Sequence, residues 1–396
     1  MWRAWIALLA AVWVWAAEIP QAEYRTRRVA AQKALGDGVL VLFGREGEAQ
    51  EPNFYYLTGW READAILLLT PSSETLFLPK RNPEREKYTG PAASAEDRNA
   101  RAVTGFEQVL SRAQFEGQLA KALESYGRVF ALKADTAKVK SLAPLREAPD
   151  AEEMLARLRA VKSAGEIERI QRSTDVTVEA HRAAWRRVAA GLYEYQIAAT
   201  MTYTMLEAGC EGNAYEPIVG SGPNATVLHY AKNSRRMEVG ELLLMDVGAQ
   251  CAFYASDVTR TVPVSGKFTA RQRELYEAVL GAQKAVLAAV KPGVTMNSLR
   301  QVATDYLEAH GKLGKYLTHG VSHNVGLEVH DAPPSSYSQP LAAGMVITAE
   351  PGLYIPEEGI GIRIEDTLLV TAEGAKVLSA ALPKEADEIE KAMAAK

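Results

Sequence analysis

The chain has 396 residues, of which 47% are hydrophobic, 24% charged and 8% aromatic, and its formal net charge is −4. These are ordinary globular proportions, and the length suits two or three domains or one large one. No basic stripe or polybasic run occurs, so neither nucleic acid nor an anionic membrane is an expected partner.

Met1-Trp2-Arg3 forms a short positive start, and Ala4 to Trp15 is an apolar stretch of twelve residues. With a cut near Ala16 or Ala17, residues 1–17 read as a cleavable signal peptide, which predicts an exported protein, periplasmic or secreted. The stretch is shorter than the roughly 20 residues of an ordinary membrane span. An uncleaved interfacial anchor is the alternative, because Trp2, Trp5, Trp13 and Trp15 suit a membrane surface. No other segment could span a membrane.

Gly38 to Phe43 then reads as a buried strand, followed by strands over 65–69 and 76–78 that flank a turn at Pro71-Ser72-Ser73. Helical patterns cover 113–123 and 151–161. Strands alternating with helices predict an α/β domain over 18–161. Residues 162–166 read as a hinge into a second domain, 162–385, which opens on a long helix over 166–188.

The second domain carries an internal repeat. Val188-Ala189-Ala190-Gly191 is echoed by Val290-Lys291-Pro292-Gly293, each between two helical patterns. Gly240 to Asp246 is echoed by Gly344 to Glu350: in both, a glycine opens an apolar strand that ends six residues later in a carboxylate. Asp257-Val258-Thr259 is echoed by Glu365-Asp366-Thr367. The offsets of 102, 104 and 108 residues drift slowly, as loop insertions would make them. A duplication would set two half-domains about a pseudo-twofold axis, each giving two carboxylates to one central site. Between these echoes lie both cysteines, Cys210 and Cys251, too few for a disulfide framework or a cysteine metal site. Export would permit them to pair, and two free buried thiols fit equally well.

Asp246, Asp257, Glu350 and Glu365 all follow apolar strands, where an acidic group is costly unless paired or bound to metal. Four converging carboxylates would repel and take up protons, and two divalent cations would cancel their charge. Three of the six histidines, His319, His323 and His330, fall within twelve residues, and His229 ends the segment Val219 to Leu228. That clustering suits one ligand with acid–base partners. An oxygen-rich site with one imidazole suits manganese, cobalt or zinc in an open centre, and not a closed structural zinc. His181 and His310 sit in helical patterns and read as plain core or surface residues.

In these residues the chain resembles aminopeptidase P and its relative prolidase, of the pita-bread metallopeptidases. Asp246, Asp257, His323, Glu350 and Glu365 match the family's five metal ligands in order, and His319 to Asp331, Ala349 to Tyr354 and Ile362 to Asp366 resemble its signature segments. His229 matches a substrate-binding histidine, and Phe54 to Gly59 with Pro83-Glu84-Arg85-Glu86 resembles the family's N-terminal domain. The likeness spans nearly the whole mature chain. It implies an N-terminal α/β domain followed by a pita-bread catalytic domain, and an Xaa-Pro aminopeptidase with two divalent ions, manganese first. It further implies that Asp257 and Glu365 bridge the ions and that Asp246 completes one shell, while His323 and Glu350 complete the other. His330 would steady the oxyanion, Glu350 would shuttle the proton, and His229 and His319 would hold the residue after the cut. Arg363 would orient a carboxylate, and Tyr354 would border the proline pocket. Peptides with proline second are the expected partners, and a homo-oligomer is the expected assembly. The chain departs from the family at Asn53, where relatives often carry Asp, and at Asn324, where they often carry an aromatic residue; both put proline selectivity in doubt. An Xaa-Pro dipeptidase is the neighbouring reading, and a catalytically dead peptide-binding module the reading from another class. A methionine aminopeptidase is disfavoured by the N-terminal domain and the export signal.

Overall fold

A computed structural model of the protein describes residues 19–45, 50–332 and 334–394. The expected signal peptide at 1–17 lies outside them. Five strands make the first sheet: β1 (Gly38–Phe43), β2 (Ile66–Thr70), β3 (Ser73–Leu78), β4 (Gln108–Ser111) and β5 (Arg128–Phe130). Their order is β4-β3-β2-β1-β5, antiparallel between β1, β2 and β3 and parallel at both edges. All six residues of β1 are buried, which explains its unbroken apolar run. Leu40 and Leu42 pack on one face with Phe54 and Leu57, while Val39, Val41 and Phe43 pack on the other with Phe115 and Leu119. Each such side chain contributes about 1.5–3 kcal/mol by burial.

Phe54-Tyr55-Tyr56-Leu57 belongs to a short helix, Pro52–Thr58, that is buried along its length and so shows no amphipathic period. Glu51 caps it by accepting from the amides of Asn53 and Phe54 at 3.1 and 2.6 Å. The expected hinge at 162–166 is instead pinned. Lys162 is buried with its Nζ 2.9 Å from Asp331 Oδ2, and its amide donates to Gly344 O. Its partners stand far along the chain, so nothing local in the sequence shows the anchorage. The long helix runs over Ala164–Arg187, started by a capping box between Ser163 and Glu166.

The second region repeats one plan. Helices Ala164–Arg187 and Glu194–Glu207 precede β6 (Gly212–Asn213), β7 (Ile218–Ser221), β8 (Leu242–Asp246), β9 (Ala249–Cys251), β10 (Tyr254–Ala255) and β11 (Thr259–Pro263). Helices Ala270–Ala289 and Met296–Ala309 precede β12 (Val346–Ala349), β13 (Gly352–Ile355), β14 (Ile360–Arg363), β15 (Asp366–Val370) and β16 (Ala375–Val377). In each half an antiparallel pair, β8 with β11 or β12 with β15, is interrupted by a hairpin, β9–β10 or β13–β14. The repeat in the sequence is thus a repeat in the fold. The halves join edge to edge: Glu365 N donates to Thr259 O at 3.1 Å, and Asp257 N to Thr367 Oγ1 at 3.3 Å. This seam brings the two pairs of acidic residues face to face. A Cβ at Gly361 would collide with Ala225 O, so β14 can lie against the turn before His229 only with glycine there. Cys210 and Cys251 form a disulfide that ties the segment after helix Glu194–Glu207 to β9.

Behind the seam, Asp366 receives Arg260 Nη2, Lys384 Nζ, Gln283 Nε2 and Ser379 Oγ, each at 2.7 Å. Burial alone would raise its pKa, but Arg260 and Lys384 hold its carboxyl well below the usual range. The side chain of Arg260 is fully buried with it. Asp366→Ala would strand that guanidinium, so folded stability should fall by about 3–5 kcal/mol. Thermal melting of the variant beside wild type checks this, and an unchanged melting temperature would contradict it.

Candidate active site

Strand ends place the acidic groups. Asp246 closes β8, Asp257 precedes β11, Glu350 follows β12 and Glu365 precedes β15. With His323 they line one cavity of about 420 Å³. His323 is fixed by Thr348, which takes its amide proton at 3.1 Å and gives its own amide to His323 O at 2.9 Å. The imidazole sets Nδ1 3.2 Å from Asn324 O, so Nδ1 is the donor and Nε2 faces the carboxylates. Nε2 stands 3.3 Å from Asp257 Oδ2 and 3.6 Å from Glu350 Oε1. Asp257, His323 and Glu365 each offer a ligand atom within 4.8 Å of the others.

A second layer of side chains aims the first. Tyr215 Oη lies 2.5 Å from Oδ1 of both Asp246 and Asp257, with one proton for the two. Thr259 Oγ1 donates to Glu365 Oε2 at 2.6 Å. Arg363 donates through Nη2 to Asp246 Oδ2, through Nη1 to Tyr354 Oη at 2.7 Å and through Nε to Thr259 Oγ1 at 3.1 Å. Its contact with Asp246 is through one nitrogen. Tyr354 Oη passes the line on to His319 Nε2 at 2.9 Å.

The sequence places these residues in different ways. Thr259, Thr348 and Arg363 each stand two positions from an acidic residue of the site, which in an extended chain is the same side of the strand. The resemblance pointed to Arg363, and that spacing could have exposed both threonines. Tyr215 lies in Asn213-Ala214-Tyr215-Glu216-Pro217, where no spacing points to the site.

Without cations the arrangement is electrostatically unfavourable. Burial, then the charge of Asp246, raises the pKa of Asp257 far above its ordinary value, and burial with Asp257 does the same to Glu365. Burial and Glu365 push Glu350 up to about 8. Among the described residues, Glu365 Oε1 is buried with no hydrogen-bond partner. An orphaned carboxylate oxygen among raised acids fits divalent cations, and the donor set of four carboxylates and one imidazole suits an open centre.

The other histidines divide. His319 is pushed down to about 4 by burial and Arg363. His330 packs its ring 4.2 Å from that of His323 and is pushed down to about 4 by burial, then by His323 and His229. Both stay neutral at ordinary pH. His229 lines the cavity from an exposed loop. His181 is buried away from the cavity, Nε2 3.1 Å from Val258 O, and His310 is exposed at a helix end. Asn53 and Asn324 stay off the cavity wall. Asn53 accepts from Arg159 Nη1 at 2.8 Å, and Arg159 also holds Asp331, the residue after His330.

The sequence matches metallopeptidase family M24 over residues 168–372 and the N-terminal domain of aminopeptidase P over 24–130. It is 36% identical to Xaa-Pro aminopeptidase 3 of Mus musculus, covering 86% of this chain and 76% of that protein. The chain belongs to the aminopeptidase P family. It is 35% identical to an Xaa-Pro dipeptidase of Pyrococcus horikoshii over 84% of this chain and 91% of that one. Its structure superposes on Escherichia coli aminopeptidase P, solved with the inhibitor Pro-Leu, at a TM-score of 0.86 and 28% identity, covering 96% of this chain and 99% of that one. The protein is therefore a metallopeptidase with the N-terminal and pita-bread domains of aminopeptidase P.

Glu350 titrates at about 8 in the folded, metal-free chain against an ordinary 4.5. A carboxyl raised in this way favours folding below 4.5 and loses that contribution as pH climbs through about 8. In chelator, Glu350→Gln should gain melting temperature relative to wild type as pH rises across that window. A difference that does not change with pH would contradict the assignment.

Proposed function

We propose that the protein is an exported Xaa-Pro aminopeptidase that holds two divalent ions, manganese before cobalt or zinc, and releases the first residue of peptides with proline second. The observation that carries the reading is one cavity lined by all five expected ligands together with His229, His319 and His330. Asp257 and Glu365 would be shared by the ions, Asp246 would serve one, and His323 with Glu350 the other. When bound, such ions supply Lewis-acid charge and bring the pKa of a water toward about 7.

The chain's own residues do the rest. Glu350 receives a proton at its carboxylate and gives it to the departing proline nitrogen. Neutral His330 steadies the carbonyl oxygen as charge develops on it. His229 and His319 hold the proline, and Tyr354 offers its ring beside His319 at a centroid distance of 5.4 Å. Arg363 keeps Asp246 and Tyr354 in register. The disulfide supports export, where such bonds persist. The apolar exposed face of helix Glu194–Glu207, with Tyr195, Tyr203 and Leu206, supports a homo-oligomer.

The Pyrococcus relative favours a second reading, an Xaa-Pro dipeptidase. Chelated protein reloaded separately with manganese, cobalt or zinc and given Xaa-Pro-Yaa, Xaa-Ala-Yaa and Xaa-Pro separates the two. Metal-dependent cleavage of Xaa-Pro-Yaa alone is the expected result. Cleavage of Xaa-Pro alone would establish the dipeptidase, and peptide binding without cleavage under every metal would establish a binding module.

A further inference from the structure

His229 lines the cavity from an exposed position, and its place in the wall is set by the backbone that carries it. That backbone is the loop from Gly222 to Arg235, which leaves β7 through a short turn, Gly222–Thr226, and returns toward β8. The loop contains no regular strand among its residues, and Val227 and His229 are exposed. A segment of this kind is ordinarily mobile unless side chains tie it down.

One side chain from outside the loop gathers it. Glu194, at the start of helix Glu194–Glu207, is fully buried. Its Oε1 accepts from Ser221 N at 2.7 Å, Ser221 Oγ at 2.8 Å and Asn224 Nδ2 at 3.1 Å, all where the loop departs. Its Oε2 accepts from Tyr230 Oη at 2.8 Å and Arg235 N at 2.8 Å, next to His229 and at the loop's return. The two oxygens therefore close the loop from both ends, and Tyr230 brings the clamp to the residue beside His229. Leu228 and Tyr230 complete the seat by packing on Ile218, Leu244 and Tyr354.

We infer that Glu194 is a positioning residue for substrate: it holds the His229 loop closed so that His229 meets the proline side of the scissile bond. This deepens the reading of His229 given under Proposed function and rests on it. Glu194 touches none of the five ligands, so the clamp acts on substrate and not on metal. A carboxylate is suited to the place because every neighbour donates. An amide there would turn an NH₂ group toward N–H and O–H donors, leaving buried groups unpaired without changing the volume.

The test compares metal-loaded wild type, Glu194→Gln, His229→Ala and the double variant, with bound metal measured for each. For Xaa-Pro-Yaa, Glu194→Gln should raise KM about tenfold while kcat falls by less than about threefold and bound metal is unchanged, the pattern of lost binding common to ground and transition states. The double variant should be no worse than His229→Ala, because both changes remove one interaction. Additive losses, or a KM equal to wild type, would overturn the inference. Hydrogen exchange on the same proteins decides it independently of any peptide. Exchange in Glu194→Gln should rise at least tenfold over residues 222–235 while β8 and β11 stay protected; unchanged exchange in the loop, or faster exchange throughout, would overturn it. Wild type that cleaves no proline peptide would instead count against the substrate reading and leave the exchange result to judge the clamp.

Discussion

Four carboxylates around one cavity, three buried and Glu350 half-buried, are the constraint on which the rest of the structure depends. Charges of like sign in a poorly solvated place repel strongly, and the fold holds them together. Arg363 supplies one guanidinium against them, and Tyr215 and Thr259 cover some oxygens with hydroxyls. Glu365 Oε1 has no partner among the described residues, and Glu350, Asp257 and Glu365 are all driven toward the protonated form. A network satisfied in part is costly unless cations complete it. The second layer therefore has a double task, to aim the oxygens and to leave room for positive charge.

Duplication explains how one chain affords such a cluster. Each half presents an antiparallel strand pair with an acidic residue at either side of an intervening hairpin, and the edge contacts between Thr259 and Glu365 and between Asp257 and Thr367 align the halves. The skeleton is symmetric but the chemistry is not. The second half contributes His323 and Arg363, while the first contributes Tyr215 and the loop of His229. Apart from Arg363 at the end of β14, the side chains that set the two sides of the cavity apart come from loops over a rigid frame.

Much of this was legible in the sequence because it rests on local pattern. The buried strand at Gly38–Phe43, the repeat, and the four acidic residues at strand ends all follow from apolar runs and their terminations. Arg363 was visible through its place in the family's signature segment Ile362 to Asp366. What escaped depends on partners far along the chain. The Pro52–Thr58 helix is buried on every side and shows no period. Lys162 looked like part of a hinge because Asp331, its partner, is 169 residues away. Tyr215 and Glu194 carry no spacing signal, since each is recruited by tertiary contacts to backbone and side chains of other elements. The pairing of Cys210 with Cys251 was open for the same reason: only the pairing of β6 with β9 brings the segments together.

The central claim is that divalent cations complete the carboxylate cluster. Its most direct test is elemental analysis of purified protein saturated with manganese and then freed of loosely held metal. Two ions per chain, lost together in an Asp257→Asn variant that remains folded, is the result the account predicts. A chain that holds no ion yet keeps its melting temperature in strong chelator would contradict it.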